Sequence, residues 1–234
     1  PATCPANHQM YYLGASPPTG AITPTNLSWP TGSLSNEYTF GGVKFKLSFS
    51  DTKTSSGIET LQSGYPEFSS YSGTTINALN VLNSSQRTDV NHRLTAIINK
   101  PVSKYGFVVQ DLDTNESGRY IESMNLVTIG GIFSNVASSR HTLSNGGQTI
   151  SGNAWENCNT DRTANKCDFN IDWGYKAAST PFVVTHGNTY NLASTTTSTG
   201  DHLVGYSDFY FCLAPPKLIV KKELNGNRVN DTDA

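Results

Sequence analysis

The sequence predicts an all-β fold, a disulfide-clamped β-sandwich or jelly roll of roughly 8–12 strands. Three observations carry this. Short segments alternate apolar and polar residues with a period of two. Clusters of Gly, Asn, Ser and Asp interrupt them at close intervals. The composition also disfavours helix: hydrophobic residues are 36% and charged residues 15% of the chain, and Ser, Thr and Asn make up about 75 of its 234 residues. Long aliphatic and charged helix formers are therefore scarce, while 11 Tyr and 10 Phe supply bulk for a sheet core.

Taken in order, the first strong element is a hairpin over 38–49. Gly41-Gly42 provides the turn, and Val43, Phe45, Leu47 and Phe49 alternate with polar residues. A weak helix is expected near Ile76–Leu82, diluted by Asn. Strands follow at Arg93–Ile98 and, after Pro101, at Lys104–Gln110. Further strands are expected at Ile121–Ile129, Gly131–Val136, Phe169–Trp173, Pro181–Thr185 and Leu203–Leu213. Ser144–Gly147, Ser151–Asn153, His186–Asn188 and Ser198–Asp201 read as turns. No internal repeat of fixed period occurs. Many short strands with frequent turns describe a sandwich rather than a βαβ protein.

The 4 cysteines form no CxxC pair. Three connectivities are possible. Cys158 with Cys167 and Cys4 with Cys212 is favoured, because the first pair flanks a short polar loop and the second joins the two ends of the domain. Disulfides that persist imply an oxidising compartment, the periplasm or cell exterior. Pro1-Ala2-Thr3-Cys4 reads as a mature start after signal cleavage. There is no apolar run long enough for a transmembrane helix. A net charge of −2 offers no cationic field for nucleic acid or anionic lipid.

A boundary falls at Ala214-Pro215-Pro216, since two prolines stiffen a join and cannot donate to a ladder. Residues 1–213 form the main domain, 214–216 the linker, and 217–234 a lysine-richer segment that reads as the truncated first strand of a second β-module. That last segment, LIVKKELNGNRVNDTDA, resembles the opening strand of the immunoglobulin-like repeats of bacterial surface proteins. The phrases FGGVKFKLSF, VSKYGFVVQDLD, NIDWGY and VGYSDFYFCL are similar to the β-sandwich heads of fimbrial and fibrillar adhesins, including pilus-assembly components of the FilF type. The resemblance implies a secreted protein, exported through the periplasm to the cell surface or an outer-membrane-associated fibre. It implies cell adhesion by a head domain whose partner is a host or surface glycan or protein. A structural tip or assembly subunit of a pilus, partnered by other pilus subunits, is the alternative, and a carbohydrate-active hydrolase is the third reading.

Candidate sites follow from residue chemistry. Asp111, Asp113, Asn115 and Ser117 place oxygens at alternate positions after a strand, with Glu122 at the twelfth position of a calcium-loop register, so calcium is the cofactor this pattern would take. Glu116 stands where such a loop has glycine, and Asp and Asn also form ordinary turns. Asp168 and Asp172 share a strand face; with Asp201 and Asp208 they serve as lysine partners, turn acceptors or ligands of sugar hydroxyls. Aromatic faces stack on sugars, and the aromatic 64–71 loop nominates Tyr65, Glu67 and Tyr71, with Trp173 and Tyr175 as second choice. No enzyme is expected. The 5 histidines show no HxxxH or HExxH spacing, GxSxG and GxxxxGK are absent, and both proposed bridges consume every thiol. Glu67, Glu122 and Glu156 are the carboxylates a hydrolase would need to bring together.

Overall fold

A computed structural model describes residues 2–51, 61–70, 77–83, 88, 91–158, 167–190, 202–217, 220 and 222–228. The strands run in chain order as β1 (Gln9–Leu13), β2 (Ser35–Phe40), β3 (Val43–Asp51), β4 (Glu67–Ser70), β5 (Asn77–Asn83) and β6 (Asn91–Ile98). Next come β7 (Lys104–Gln110), β8 (Thr114–Asn115), β9 (Tyr120–Leu126), β10 (Ile132–Ser134), β11 (His141–Ser144) and β12 (Thr149–Gly152). The chain continues through β13 (Phe169–Trp173), β14 (Phe182–Asn188), β15 (His202–Leu213), β16 (Glu223–Leu224) and β17 (Asn227–Arg228). All of their pairings are antiparallel.

Two sheets pack face to face. One has the order β10-β13-β7-β15-β5-β4, with β1 added along the second half of β15. The other has the order β11-β12-β9-β14-β6-β3-β2, with β8 beside β9. Their inner faces supply the core, and its alternation can be followed strand by strand. Phe45 and Leu47 of β3, Leu94 and Ala96 of β6, Tyr105, Phe107 and Val109 of β7, and Phe169, Ile171 and Trp173 of β13 all point inward and are buried. Aromatic rings interlock there: Tyr105 stacks on Trp173 at 5.7 Å and tilts against Phe182 at 4.5 Å. The two sheets and this core form the all-β sandwich expected from the alternation.

Several elements lie where the sequence puts them. The β2–β3 hairpin turns at Gly41-Gly42, whose φ values of 57° and 75° glycine adopts without steric cost. Both expected disulfides are formed, Cys4–Cys212 and Cys158–Cys167. In the tail, β16 and β17 close a small hairpin over Asn225-Gly226, at φ 52° and 81°.

Three expectations are overturned, the first being the turn at Ser151–Asn153, where Ser151 and Gly152 close β12 opposite Thr142 and His141. The helix near Ile76–Leu82 is strand β5 from Asn77 onward, because Leu79, Val81 and Asn83 alternate into the interior and pair along β15. The turn at His186–Asn188 is the end of β14, where His186 pairs with His92 and Met124. In β5 and β14 the residues that locally weaken a helix or mark a turn, Asn83, His186 and Asn188, face a polar part of the interior. The Ser198–Asp201 turn lies outside the described residues.

The longest strand, β15, contains a bulge. Ser207 pairs with Val108 and Tyr210 with Gly106, so Asp208 and Phe209 stand together against Phe107. Asp208 takes φ 51°. The extra residue shifts the alternation by one, so Val204 and Tyr206 point inward before it and Phe209 and Phe211 after it. Asp208, Tyr210 and Cys212 are thereby directed to the outer face.

Candidate functional site

That outer face carries a hollow of about 600 Å³. One row of residues crosses five strands in register: Ile132, Asp172, Gly106, Tyr210 and Tyr12. Gly106 sits in this row between Asp172 and Tyr210, which close in over it. A Cβ there would lie 2.5 Å from the Ile171 carbonyl oxygen and 2.9 Å from both Asp172 Cβ and the Tyr210 ring. Only glycine allows its neighbours to approach this closely. Asn170 and Val108 extend the lining along β13 and β7, and Ala15, Ser16 and Pro18 form the rim.

The N-terminal segment builds one wall. Cys4 is bonded to Cys212 on the outer face of β15, and Ala2, Cys4, Met10 and Ala21 pack around Tyr12, Tyr210 and Cys212. The Tyr12 hydroxyl donates to the Asp208 carboxylate. Lys104 Nζ donates to Thr3 Oγ1 at 3.2 Å and sits 5.7 Å from the centre of the Tyr210 ring. Burial raises both phenols above their ordinary range, with Asp208 adding to the effect at Tyr12 and the charge of Asp172 at Tyr210. Nearby, burial and then Asp208 push the Asp168 carboxyl up to about 7, against a hydrogen bond from the Asp111 backbone. The hollow thus offers protonated phenols, carboxylate acceptors, an amide and an aromatic flank. These groups suit hydroxyls and the apolar face of a sugar ring.

A second polar group lies inside the sandwich. Glu122 of β9, His186 of β14 and His202 of β15 are all buried. Glu122 Oε1 is 2.8 Å from His202 Nδ1 and 3.3 Å from His186 Nε2. The other carboxylate oxygen accepts the Asp113 backbone N–H at 2.8 Å. The His92 ring stacks on His186 at 4.7 Å and is itself fixed by Asn83 Oδ1 at 2.8 Å and the Tyr206 hydroxyl at 2.7 Å. Burial lowers His92, His141 and His186 from the ordinary histidine range. Burial alone would raise Glu122, but its two histidine contacts outweigh this and keep it ionised. Burial and the Glu122 charge hold Asp113 protonated.

The residues nominated from sequence are dispersed. Of the calcium set, Asp113 and Glu122 meet, through the Asp113 backbone. Asn115 Oδ1 instead accepts from the Ser117 hydroxyl and the Gly118 N–H, capping the β8–β9 turn. Asp111 sits at φ 63° beside Asp168, and Asp113 Oδ2 accepts the Cys158 N–H. Of the ligand set, Trp173 is a core residue, 1% exposed, with its indole N–H on the Thr128 carbonyl. Tyr175 is 70% exposed at the margin of the same sheet. Tyr65 lines a separate hollow with Thr31, Gly32, Leu34, Leu61 and Gln62. Glu67 opens the edge strand β4 opposite Asn80, and Tyr71 lies outside the described residues. Neither Tyr12 nor Tyr210 was legible as a site residue. The available signal was the acidic group of Asp168, Asp172 and Asp208, of which Asp172 and Asp208 line the hollow. No family model matches this chain, nor does any curated protein or solved structure.

Proposed function

We propose that this chain is the ligand-binding head of an exported bacterial surface or pilus adhesin. Its outer-face hollow takes a neutral, hydroxyl-rich glycan. The observation that carries this reading is the hollow itself, which Tyr12, Tyr210, Asn170, Asp172 and Asp208 line together. Two carboxylates against Lys104 alone disfavour an anionic sugar and leave acceptors for hydroxyl groups. A rigid sheet supports these groups, which limits the ordering cost of binding. The disulfides fit an oxidising location, and no step of catalysis is assigned to the chain.

A glycan array tests this reading, followed by direct titration of any hit against Asp172→Ala and Asn170→Ala. Both residues are half-buried and outside the core, so both variants should keep the wild-type melting temperature and lose binding at least tenfold. Retention of no glycan, or binding unchanged in both variants, overturns the proposal. Tyr65→Ala and Tyr175→Ala serve as comparisons and should bind normally.

The second reading, a structural pilus subunit, draws on a different surface. Ile129 (79% exposed), Ile132 (62%) and Tyr175 (70%) lie at the β10 margin. Lys176 Nζ ties this margin together by donating to the Ile129 carbonyl at 3.1 Å. Strand β10 ends its sheet among the described residues, as edge strands open to a further strand do. Capture of sister subunits through this edge, abolished by Ile132→Lys, would favour that reading.

A further inference from the structure

We propose that Glu122, His186 and His202 hold a divalent cation, with zinc the ion best suited to the donors, in an enclosed site joining the two sheets. The three ligand atoms all lie within 4.8 Å of one another. Glu122 and His186 belong to adjacent strands of one sheet, and His202 opens the long central strand of the other. Two imidazoles and one carboxylate are a zinc donor set, and three protein ligands leave one position of a tetrahedron for water. Calcium would require oxygen donors throughout.

The site is built as metal sites are, with each ligand oriented by a further contact. The Asp113 N–H holds Glu122 Oε2 and turns Oε1 toward the histidines. Tyr120 stacks on His202 at 4.9 Å, and the fixed His92 stacks on His186. His186 is the independent sign of a ligand. It is 1% exposed, and neither ring nitrogen makes a hydrogen bond among the described residues. Its Nε2 is near Glu122 Oε1 but out of line for one. A buried imidazole with two unused nitrogens is costly unless something accepts its lone pair. The adjacent Asp113, Cys158 and Cys167 group is not a second site, since both sulfurs are in a disulfide.

The test uses tag-free protein stripped with chelator, incubated with zinc and desalted. One zinc per chain should remain, with a raised melting temperature, and calcium should produce neither effect. Glu122→Gln and His202→Asn should weaken zinc binding by more than the ~10–100-fold that loss of a merely orienting partner costs. His92→Asn should still bind zinc stoichiometrically. Wild-type protein that retains no zinc, or zinc retained undiminished by both ligand variants, overturns the proposal. Should the variants fail to fold, X-ray absorption of the zinc-loaded wild type decides. Two imidazoles with oxygen ligands support the site, and any other ligand set refutes it.

Discussion

Removing the Cys4–Cys212 bridge should destabilise this domain far more than removing Cys158–Cys167. The sequence separations are 208 and 9 residues. In the chain-entropy description, a cross-link restricts the unfolded chain roughly as the logarithm of the loop it closes, which gives about 5 kcal/mol for the long loop and about 2.5 for the short one. Native packing adds to the difference in the same direction. Cys212 is fully buried among Tyr12, Tyr210 and the N-terminal segment, so its loss also loosens the wall of the outer-face hollow. The double variants Cys4→Ala/Cys212→Ala and Cys158→Ala/Cys167→Ala are compared by urea unfolding and calorimetry. At ~2–4 °C per kcal/mol for a domain of this size, the first should lose about 10–20 °C and the second about half that. An equal loss from both pairs, or a greater one from the short loop, would refute the entropic reasoning.

Two further outcomes follow from the same geometry. Gly106→Ala should cost about 1–3 kcal/mol, because the new methyl group meets a backbone carbonyl that cannot move away; a denaturation midpoint equal to wild type would show that the sheet relaxes there freely. Asp168 should give stability a distinctive pH dependence. Its folded pKa of about 7 lies above the ordinary value of 3.8, so between these values the folded state binds more protons than the unfolded. Its contribution is complete below about pH 4 and is lost as pH rises to 7. Asp168→Asn should therefore gain stability relative to wild type across that interval, measured by chemical denaturation at each pH. A flat difference would mean the carboxyl is solvated.

Strands β3 and β13, both announced by local pattern, each bury a single face of uniformly apolar residues. Val43, Phe45, Leu47 and Phe49 mark β3, and Phe169, Ile171 and Trp173 mark β13, without reference to any neighbour. Trp173, however, was also nominated as a ligand residue, because an aromatic near Gly174 looks the same in sequence whether it faces glycan or core. Strands β5 and the end of β14 escaped notice because their inward residues include Asn83, His186 and Asn188. A period of two is visible only when the buried face is apolar.

What the sequence by itself determined is the fold class, the turns at glycine pairs and the presence of disulfides, while the choice among three pairings fell to the structure. These depend on local alternation, on φ > 0 at particular residues and on the even count of thiols. What only the tertiary structure decided is the placement of the polar groups. The bulge at Asp208 resets the phase of β15 and sends Tyr210 outward to meet Tyr12, 198 positions away in the chain. Glu122, His186 and His202 meet because two sheets close over them. The physical reason is that alternation reports which face of a strand is buried, while which polar side chains share a site depends on register and packing between strands distant in sequence.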